Sequence, residues 1–311
     1  MRILFMGTPD FAVASLDALV EAGHTLCGVF CQPDKPVGRH QNRYQAPPVK
    51  EYALAHNIPV FQPVKLRDGT ALAQIRELDP QLIVVAAYGR ILPQDILDAP
   101  ALGCINVHSS LLPKYRGAAP INWAILNGEK ETGVTIMHMA AALDAGDIIA
   151  QERTAIGPDE TAPELFARLA TLGGKLLVET VTALEKGTAA RVPQEEEQAT
   201  LAPMLSKEMS PLDFDKSAQA LHDQVRGLLP WPCATAVLGD IRCKILKTKV
   251  ELIQDQHHGM VLEAGKAGIL IACKGDALRI LELQPDGKKP MAASAFLAGH
   301  PLPAKTILSW K

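Results

Sequence analysis

The opening stretch constrains the fold more than any other part of this 311-residue chain. Residues 2–7 form an apolar run that ends in Gly7, as in a buried parallel strand. A turn follows, after which Asp10 can cap a helix that ends near residue 22. Residues 25–31 predict a second strand. A strand, a helix and a second strand in this order predict an α/β fold with a doubly wound, mostly parallel sheet.

The first strand-to-helix turn lacks the glycine pattern of a dinucleotide site. A single glycine, Gly7, precedes Thr8 and Pro9, and no GxGxxG is present. Gly7 can either contribute to a phosphate-binding site or form a tight turn between the strand and the helix. The turn is favoured, because one glycine is a weak signal.

Later stretches extend this sheet. Residues 82–87 are the most apolar run in the chain, which predicts a central strand. Residues 133–139 predict another strand, and 148–156 carry the alternating polar residues expected of an edge strand. Helices are predicted at 49–56, 70–78 and 161–186.

The length predicts two domains, and the character of the chain changes after residue 187. Residues 188–204 contain an acidic run and few large apolar residues, which predicts a linker between domains 1–187 and 205–311. The second domain has short alternating stretches between Gly and Asp turns, which favour a small antiparallel β-barrel. These stretches are 234–238, 241–246, 259–262, 268–272 and 277–283.

Composition narrows the class of protein. A net charge of −3, 48% hydrophobic and 21% charged residues are ordinary for a globular protein. We find no membrane span and no secretion signal. The six cysteines include no C-x-x-C pair, so we expect buried free thiols, no metal site and a cytoplasmic protein.

Three polar residues are candidates for chemistry. Asn106 and His108 alternate with Ile105 and Val107, which predicts a strand with both polar side chains on one face. Asp144 follows the next predicted strand. An amide donor and an imidazolium beside a carboxylate suit an oxygen that gains negative charge in acyl transfer. The alternative is structural: a turn cap, a core histidine and a helix cap.

The surrounding motifs resemble the formyltransferases that use 10-formyltetrahydrofolate. The matching stretches run in order over nearly the whole chain: ILFMGTPDFA, QPDKPVGR, NVHSSLLPKYRGAAPI, GVTIMHM, LDAGDI, LSKE, PWP and LQPDGKKPM. They are most similar to the members that act on methionyl initiator tRNA. The resemblance implies a Rossmann-like catalytic domain followed by an OB-like tRNA-binding domain, and transfer of a formyl group to the free amino group of methionyl initiator tRNA. We expect a monomer in a bacterial-type cytoplasm or an organellar matrix.

The resemblance also implies residue roles. Asn106, His108 and Asp144 match the catalytic positions. Ser110 to Pro113 match a signature loop, and the end of the central strand matches a wall of the folate pocket. The implied folate-binding residues are Tyr88, Gly89, Ile91, Leu92, Ser110, Leu111, Leu112 and Pro113.

Two basic stretches are candidates for tRNA contact. The first, residues 33–48, is predicted to be a long loop. In the enzymes that this sequence resembles, the loop contacts the acceptor stem of the tRNA. Its basic residues here are Lys35, Arg39 and Arg43. Residues 204–311 hold 14 Lys and Arg and 11 Asp and Glu, while residues 1–203 hold 17 and 23. The second basic stretch comprises Arg242, Lys244, Lys247 and Lys249, which form either a phosphate-contacting face or a solvated strand face.

The expected mechanism needs neither metal nor nucleotide. Asp144 helps to remove the proton of the attacking amine, while Asn106 and protonated His108 stabilise the oxyanion. No serine or cysteine nucleophile with its own base is evident, which favours direct attack by the amine. The sequence departs from the family pattern at Ser109, Ala140 and Ala142, and after Arg39 it is less basic than usual.

Three alternatives remain open. The same catalytic domain can serve a sugar-nucleotide N-formyltransferase or a formyltetrahydrofolate hydrolase. The basic loop and the PWP-containing second domain argue against both. From a different class, the chain can be a catalytically silent RNA-binding protein, against which the complete trio argues.

Overall fold

The computed structural model describes residues 1–37, 43–253 and 257–308, which divide into two compact units. Unit 1 comprises Met1–Pro120, Glu131–Ala155 and Phe166–Ala202. Unit 2 comprises Ile121–Lys130, Ile156–Leu165 and Pro203–Lys311.

Unit 1 is built on a seven-stranded mixed sheet. The strands of this unit are β1 (Arg2–Gly7), β2 (Thr25–Phe30), β3 (Lys35–Val37), β4 (Arg43–Gln45), β5 (Val60–Phe61), β6 (Leu82–Ala86), β7 (Cys104–His108), β8 (Arg116–Gly117), β9 (Glu131–His138), β10 (Ile148–Ala155) and β11 (Leu201–Ala202). The sheet order is β10-β9-β7-β6-β1-β2-β5. The strands from β7 to β5 in this order are parallel, and β9 and β10 are antiparallel additions. The predictions of a central β6 and an edge β10 are confirmed.

Helices cover both faces of this sheet. In unit 1 the helices are α1 (Asp10–Glu21), α2 (Pro48–Ala55), α3 (Thr70–Leu78), α4 (Gln94–Leu97) and most of α6 (Ala162–Glu185), whereas α5 (Pro120–Leu126) belongs almost entirely to unit 2. In β1, Leu4 and Met6 belong to a core cluster that includes Ile75 of α3, and Ile3 and Phe5 on the opposite face are equally buried. Burial on both faces is what a doubly wound sheet requires, and it explains the continuous apolar run.

The turn after β1 is a close packing point. A Cβ atom on Gly7 would lie 2.6 Å from Cβ of Ala12 and 2.9 Å from the carbonyl oxygen of Ala86. Only glycine lets α1 begin this close to the end of β6. The interpretation of Gly7 as a tight turn is therefore sufficient to explain the residue.

Unit 2 contains a six-stranded antiparallel sheet with two further helices, α7 (Ala218–Gly227) and α8 (Ala293–Gly299). Its strands are β12 (Ala234–Leu238), β13 (Ile241–Glu251), β14 (Val261–Gly265), β15 (Gly268–Ala272), β16 (Ala277–Pro285) and β17 (Met291–Ala292). The order is β12-β13-β16-β15-β14, and β17 pairs with β16. The prediction of a second, antiparallel sheet domain is confirmed, and a core that includes Leu221, Ile245, Ile280 and Phe296 fills it.

Two segments differ from the sequence interpretation. Within the predicted loop 33–48, β3 and β4 pair as a short antiparallel hairpin. Within the predicted linker, Val192 pairs with Ile148, and β11 pairs in parallel with β8. Main-chain hydrogen bonds hold this stretch against unit 1, so its shortage of large apolar residues does not leave it a free spacer.

Three further features concern the described ranges. All six cysteines are free and buried. No described helix has the length and apolar character needed to cross a bilayer. No cluster of three or more His, Cys, Asp or Glu side chains within residues 1–37, 43–253 and 257–308 is arranged to hold a metal ion.

Candidate active site

The site lies at the end of β7, between β6 and β9. Asn106 pairs in register with Val85 of β6 and Met137 of β9, and His108 pairs with Thr135 of β9. Asn106 and His108 are two residues apart and project from the same face of the strand. The Asn106 side chain is half-buried, and no other described residue hydrogen-bonds to its amide. Its NH2 group is free to donate to a bound molecule.

His108 has one hydrogen-bond acceptor and one carboxylate beside its ring. Its Nε2 atom lies 2.9 Å from the carbonyl oxygen of Tyr115, which can only accept, so Nε2 carries a proton. Its Nδ1 atom lies 3.7 Å from Oδ2 of Asp144. This distance is longer than a hydrogen bond but short enough for electrostatic attraction to a protonated ring. Nδ1 is therefore the atom that can gain, lose or donate a proton in the site.

Asp144 is placed by an unusual backbone. Its φ of 47° lies in the left-handed region, and its Oδ2 atom accepts a hydrogen bond of 2.8 Å from the Gly117 N–H. The same loop passes close to β9: a Cβ atom on Gly146 would lie 1.8 Å from the carbonyl oxygen of His138. Glycine at 146 thus allows the loop to turn back toward His108.

Two side chains connect the loops on either side of the site. Gln194 donates from Nε2 to the carbonyl oxygens of Asp144 and Gly146, both at 2.8 Å. Its Oε1 atom accepts from Nε and Nη2 of Arg116, at 3.1 and 2.9 Å. Arg116 in turn pairs with Glu196 at 2.9 Å. None of these roles is predicted from the sequence: Arg116 lies within a matching motif that gives it no role, and Gln194 lies in the predicted linker 188–204.

The predicted folate-binding loop, residues 110–113, is held in place by hydrogen bonds to β9 and within the loop segment. Ser110 is buried and donates from Oγ to the Lys114 carbonyl. Thr135 donates to the Ser110 carbonyl and accepts from the backbone N–H of Leu112. Leu112 is buried, whereas Leu111 and Pro113 remain partly exposed. Ser110 and Leu112 therefore shape the loop, and Leu111 and Pro113 offer surface to a ligand.

The residues that follow β6 also include both buried and exposed side chains. The side chains of Tyr88 and Leu92 are buried in the core, and burial raises the pKa of the Tyr88 hydroxyl to about 12. Ile91 is 68% exposed, and Gly89 has a φ of 78°. No described residue accepts a hydrogen bond from the backbone N–H groups of residues 88–92. This stretch presents free donors and one apolar side chain at the carboxyl edge of the sheet, where open α/β sheets bind ligands.

The predicted tRNA-contacting residues lie at several places. Lys35 and Arg43 are exposed on the β3–β4 hairpin, and Arg39 lies outside the described residues. The remaining four are on β13: Arg242, Lys247 and Lys249 are exposed, and Lys244 is half-buried. Lys247 pairs in register with Glu282, so its charge is partly offset.

Comparison with known proteins gives one consistent result. A family model described as "Formyl transferase" matches residues 1–181, and one described as "Formyl transferase, C-terminal domain" matches residues 204–301. A protein of Alkaliphilus oremlandii named methionyl-tRNA formyltransferase is 47% identical over 99% of this chain and 99% of its own. One of the same name from Moorella thermoacetica is 48% identical, also over 99% of each chain.

Solved structures support the fold. The N-formyltransferase of Helicobacter canadensis, in complex with folinic acid and dTDP-3-aminofucose, superposes with a TM-score of 0.68 at 20% identity, over 92% of this chain and 99% of that one. HypX of Aquifex aeolicus in complex with tetrahydrofolic acid gives a TM-score of 0.63 at 16% identity, over 100% of this chain and 51% of that one.

Proposed function

We propose that this chain, which belongs to the formyltransferase family, transfers a formyl group from 10-formyltetrahydrofolate to the free amino group of methionyl initiator tRNA. The product is formylmethionyl-tRNA, which serves translation initiation. Relatives named methionyl-tRNA formyltransferase match 99% of this chain, including the second unit. The observation that carries the proposal is the His108–Asp144 pair beside the unpartnered amide of Asn106.

Asp144 is suited to receive the proton of the attacking amine. The Gly117 N–H donates a hydrogen bond to Oδ2 of Asp144, and no described residue donates to Oδ1. The attacking amine must be neutral, and its nitrogen becomes more acidic as the new C–N bond forms. Oδ1 can take that proton directly or through a water molecule. The positive charge of a protonated His108 near Oδ2 keeps the site balanced as this proton moves.

Asn106 and His108 serve the opposite side of the reaction. The NH2 group of Asn106 donates to the formyl oxygen as it gains negative charge, a role in which one donor contributes about 3–4 kcal/mol. Tyr115 holds the Nε2–H of His108, which leaves Nδ1–H to stabilise the same charge and then to protonate the leaving nitrogen. The proton that Asp144 takes from the amine then returns to Nδ1 of His108 through a bridging water molecule, since the carboxylate lies 3.7 Å from the ring.

The residues at the sheet edge fit a folate donor. A pterin ring needs both hydrogen-bond partners and apolar walls. The free N–H groups of residues 88–92 supply the first, and Ile91, Leu111 and Pro113 supply the second. Tyr88, Leu92, Ser110 and Leu112 support this wall from the core. When bound, the donor supplies an activated formyl group.

The acceptor is a tRNA, and the basic residues of both units are candidates for contact with it. In the stretch 33–48 these are Lys35, Arg39 and Arg43, and on β13 they are Arg242, Lys244, Lys247 and Lys249. Such contacts to phosphates fix position rather than read sequence. We further propose that the protein is a monomer in a bacterial-type cytoplasm or an organellar matrix.

The deciding experiment compares two acceptors. The protein is mixed with 10-formyltetrahydrofolate and either methionyl initiator tRNA or methionyl elongator tRNA, and formylmethionyl-tRNA is followed. We expect product from the initiator only. If neither tRNA is formylated while formate and tetrahydrofolate accumulate, the protein is a hydrolase and the proposal fails.

A further inference from the structure

We infer that Gln194 is a positioning residue for this reaction, which fixes the Asp144 loop relative to the loop that carries Arg116. The inference rests on the proposed function for the role of Asp144, but its structural basis is independent of the substrate. It concerns the segment 191–202, here called the strap, which joins two loops that meet at His108.

The strap is attached to both loops by its backbone. On the side of the Asp144 loop, Val192 exchanges two main-chain hydrogen bonds with Ile148, of 2.8 and 2.9 Å. On the side of the Arg116 loop, the Arg116 N–H donates to the Thr200 carbonyl at 2.8 Å. The Ala118 N–H donates to the Ala202 carbonyl, also at 2.8 Å. Each end of the strap is thus tied to a different wall of the site.

Gln194 lies between these ties and makes the side-chain connection. Its Nε2 atom donates to the carbonyl oxygens of Asp144 and Gly146 and, at 3.9 Å, to Sδ of Met137, while its Oε1 atom accepts from guanidinium N–H groups of Arg116. Carbonyls cannot donate and a guanidinium cannot accept, so the amide orientation is determined by its partners. A glutamine is the residue type whose side chain presents a donor and an acceptor across this gap.

The connection bears on the position of the catalytic carboxylate. Asp144 adopts a left-handed backbone, with φ of 47°, which an aspartate adopts only when its surroundings favour it. Gln194 fixes the carbonyl of that residue, while the Gly117 N–H fixes its carboxylate. Gly117 directly follows Arg116, the partner of Gln194. Displacement of a catalytic group by about 1 Å is enough to lower a rate about 100-fold.

The test uses substitutions that separate the two ends of the amide. Gln194→Glu retains an acceptor for Arg116 but places an oxygen against the two carbonyl oxygens. Gln194→Met retains the length and removes both interactions. The same two substitutions at Gln198, which is exposed on the strap and bonded to Glu195, are the matched controls. Arg116 is not a useful test site, because its loss leaves a cavity in a buried region.

Two readouts are needed. The first is steady-state kinetics with methionyl initiator tRNA, and the second is hydrogen–deuterium exchange of the peptide that spans residues 143–148. We expect both Gln194 variants to lower kcat about 10-fold to 100-fold, with both KM values within about twofold, since Gln194 is not proposed to touch either substrate. Exchange of the 143–148 peptide rises in the same variants, and the Gln198 variants match the wild type.

The outcomes separate this inference from the proposed function. Unchanged exchange in both Gln194 variants overturns it, and so does raised exchange with an unchanged kcat. If the wild-type protein formylates no tRNA, the proposed function fails, and the exchange measurement still decides whether Gln194 holds the loop. A loss of kcat in the Gln198 controls as well would show that the strap tolerates no change, and would remove the special role of Gln194.

Discussion

Nδ1 of His108 and Oδ2 of Asp144 face each other at 3.7 Å, while the Gly117 N–H binds the same Oδ2 atom at 2.8 Å. The carboxylate is therefore oriented by a backbone donor and lies near the imidazole without a direct hydrogen bond. Both side chains are largely shielded, with 6% and 13% exposure. Charge at either group acts with little screening by water.

Asp144→Asn tests the charge of this pair. The amide keeps the shape and can still accept from Gly117, but it neither receives a proton nor balances a protonated His108. We expect kcat to fall at least about 100-fold, as is typical for loss of a general base. Initial rates with saturating substrates measure this, and a thermal melt of the same preparation checks the fold. A variant that retains more than a tenth of the activity would contradict a role for this carboxylate in proton transfer.

Asn106→Ala tests the oxyanion donor. Removal of one such donor typically lowers kcat about 10²-fold to 10³-fold. Because no described residue bonds to the amide, the substitution should change the free energy of unfolding by less than about 1 kcal/mol. Urea unfolding and single-turnover rates, measured on one sample, separate the two effects. Large destabilisation would instead support a structural role for Asn106.

The sequence predicted strands and helices where periodicity is strong. Helix α3 begins and ends at the predicted residues, Thr70 and Leu78, and β12 matches 234–238. The hairpin of β3 and β4 was not predicted, because its pairing depends on backbone bonds rather than on an apolar pattern. Helix α7 (Ala218–Gly227) was not predicted either, in a stretch that also contains charged residues.

The sequence predicted those parts of the site that depend on local geometry, but not the contacts between residues far apart in the chain. Asn106 and His108 lie on one strand, so their shared face follows from local geometry. The pairing of His108 with Asp144 spans 36 positions: the positions of both residues near strand ends allowed it beside a structural alternative, and the motif resemblance favoured it. Gln194 bonds to Arg116 across 78 positions, in a segment without periodicity. No local pattern encodes a contact of this kind.

Gly146→Ala should disturb the backbone of the Asp144 loop while leaving the Asp144 side chain itself unchanged. The new Cβ atom would lie 1.8 Å from the His138 carbonyl oxygen, so the backbone must move. We expect destabilisation of about 1–3 kcal/mol and reduced activity. Gly265→Ala is the control, because nothing lies within 4 Å of its Cβ position. Equal stability of the two variants would show that the loop accommodates the methyl group freely.

Stability should depend on pH through His138 at the end of β9. Burial, and then the charge of Arg191, hold the pKa of His138 below 6.5 in spite of Asp147. The unfolded chain therefore binds a proton more readily than the folded one. This contribution is fully present above pH 6.5 and is lost as the pH falls through the lowered pKa.

His138→Gln should accordingly reduce the loss of stability between pH 7 and pH 5. Urea unfolding at several pH values in this range measures the slope for both proteins. Because His24 also has a lowered pKa, through burial first, some of the slope should remain in the variant. An unchanged slope would mean that His138 titrates alike in the folded and unfolded states.

Arg43→Ala and Arg242→Ala test tRNA contact on each unit. Both side chains are exposed, so neither substitution should affect the fold. We expect a higher KM for methionyl initiator tRNA, little change in kcat, and a weaker dependence of binding on salt, since each lost phosphate contact releases about one counterion fewer. Arg76→Ala, at an exposed position on α3, is the matched control for a general effect of charge. If all three variants raise KM equally, net charge alone guides the tRNA. An effect confined to Arg43 and Arg242 would instead place the acceptor along the β3–β4 hairpin and β13.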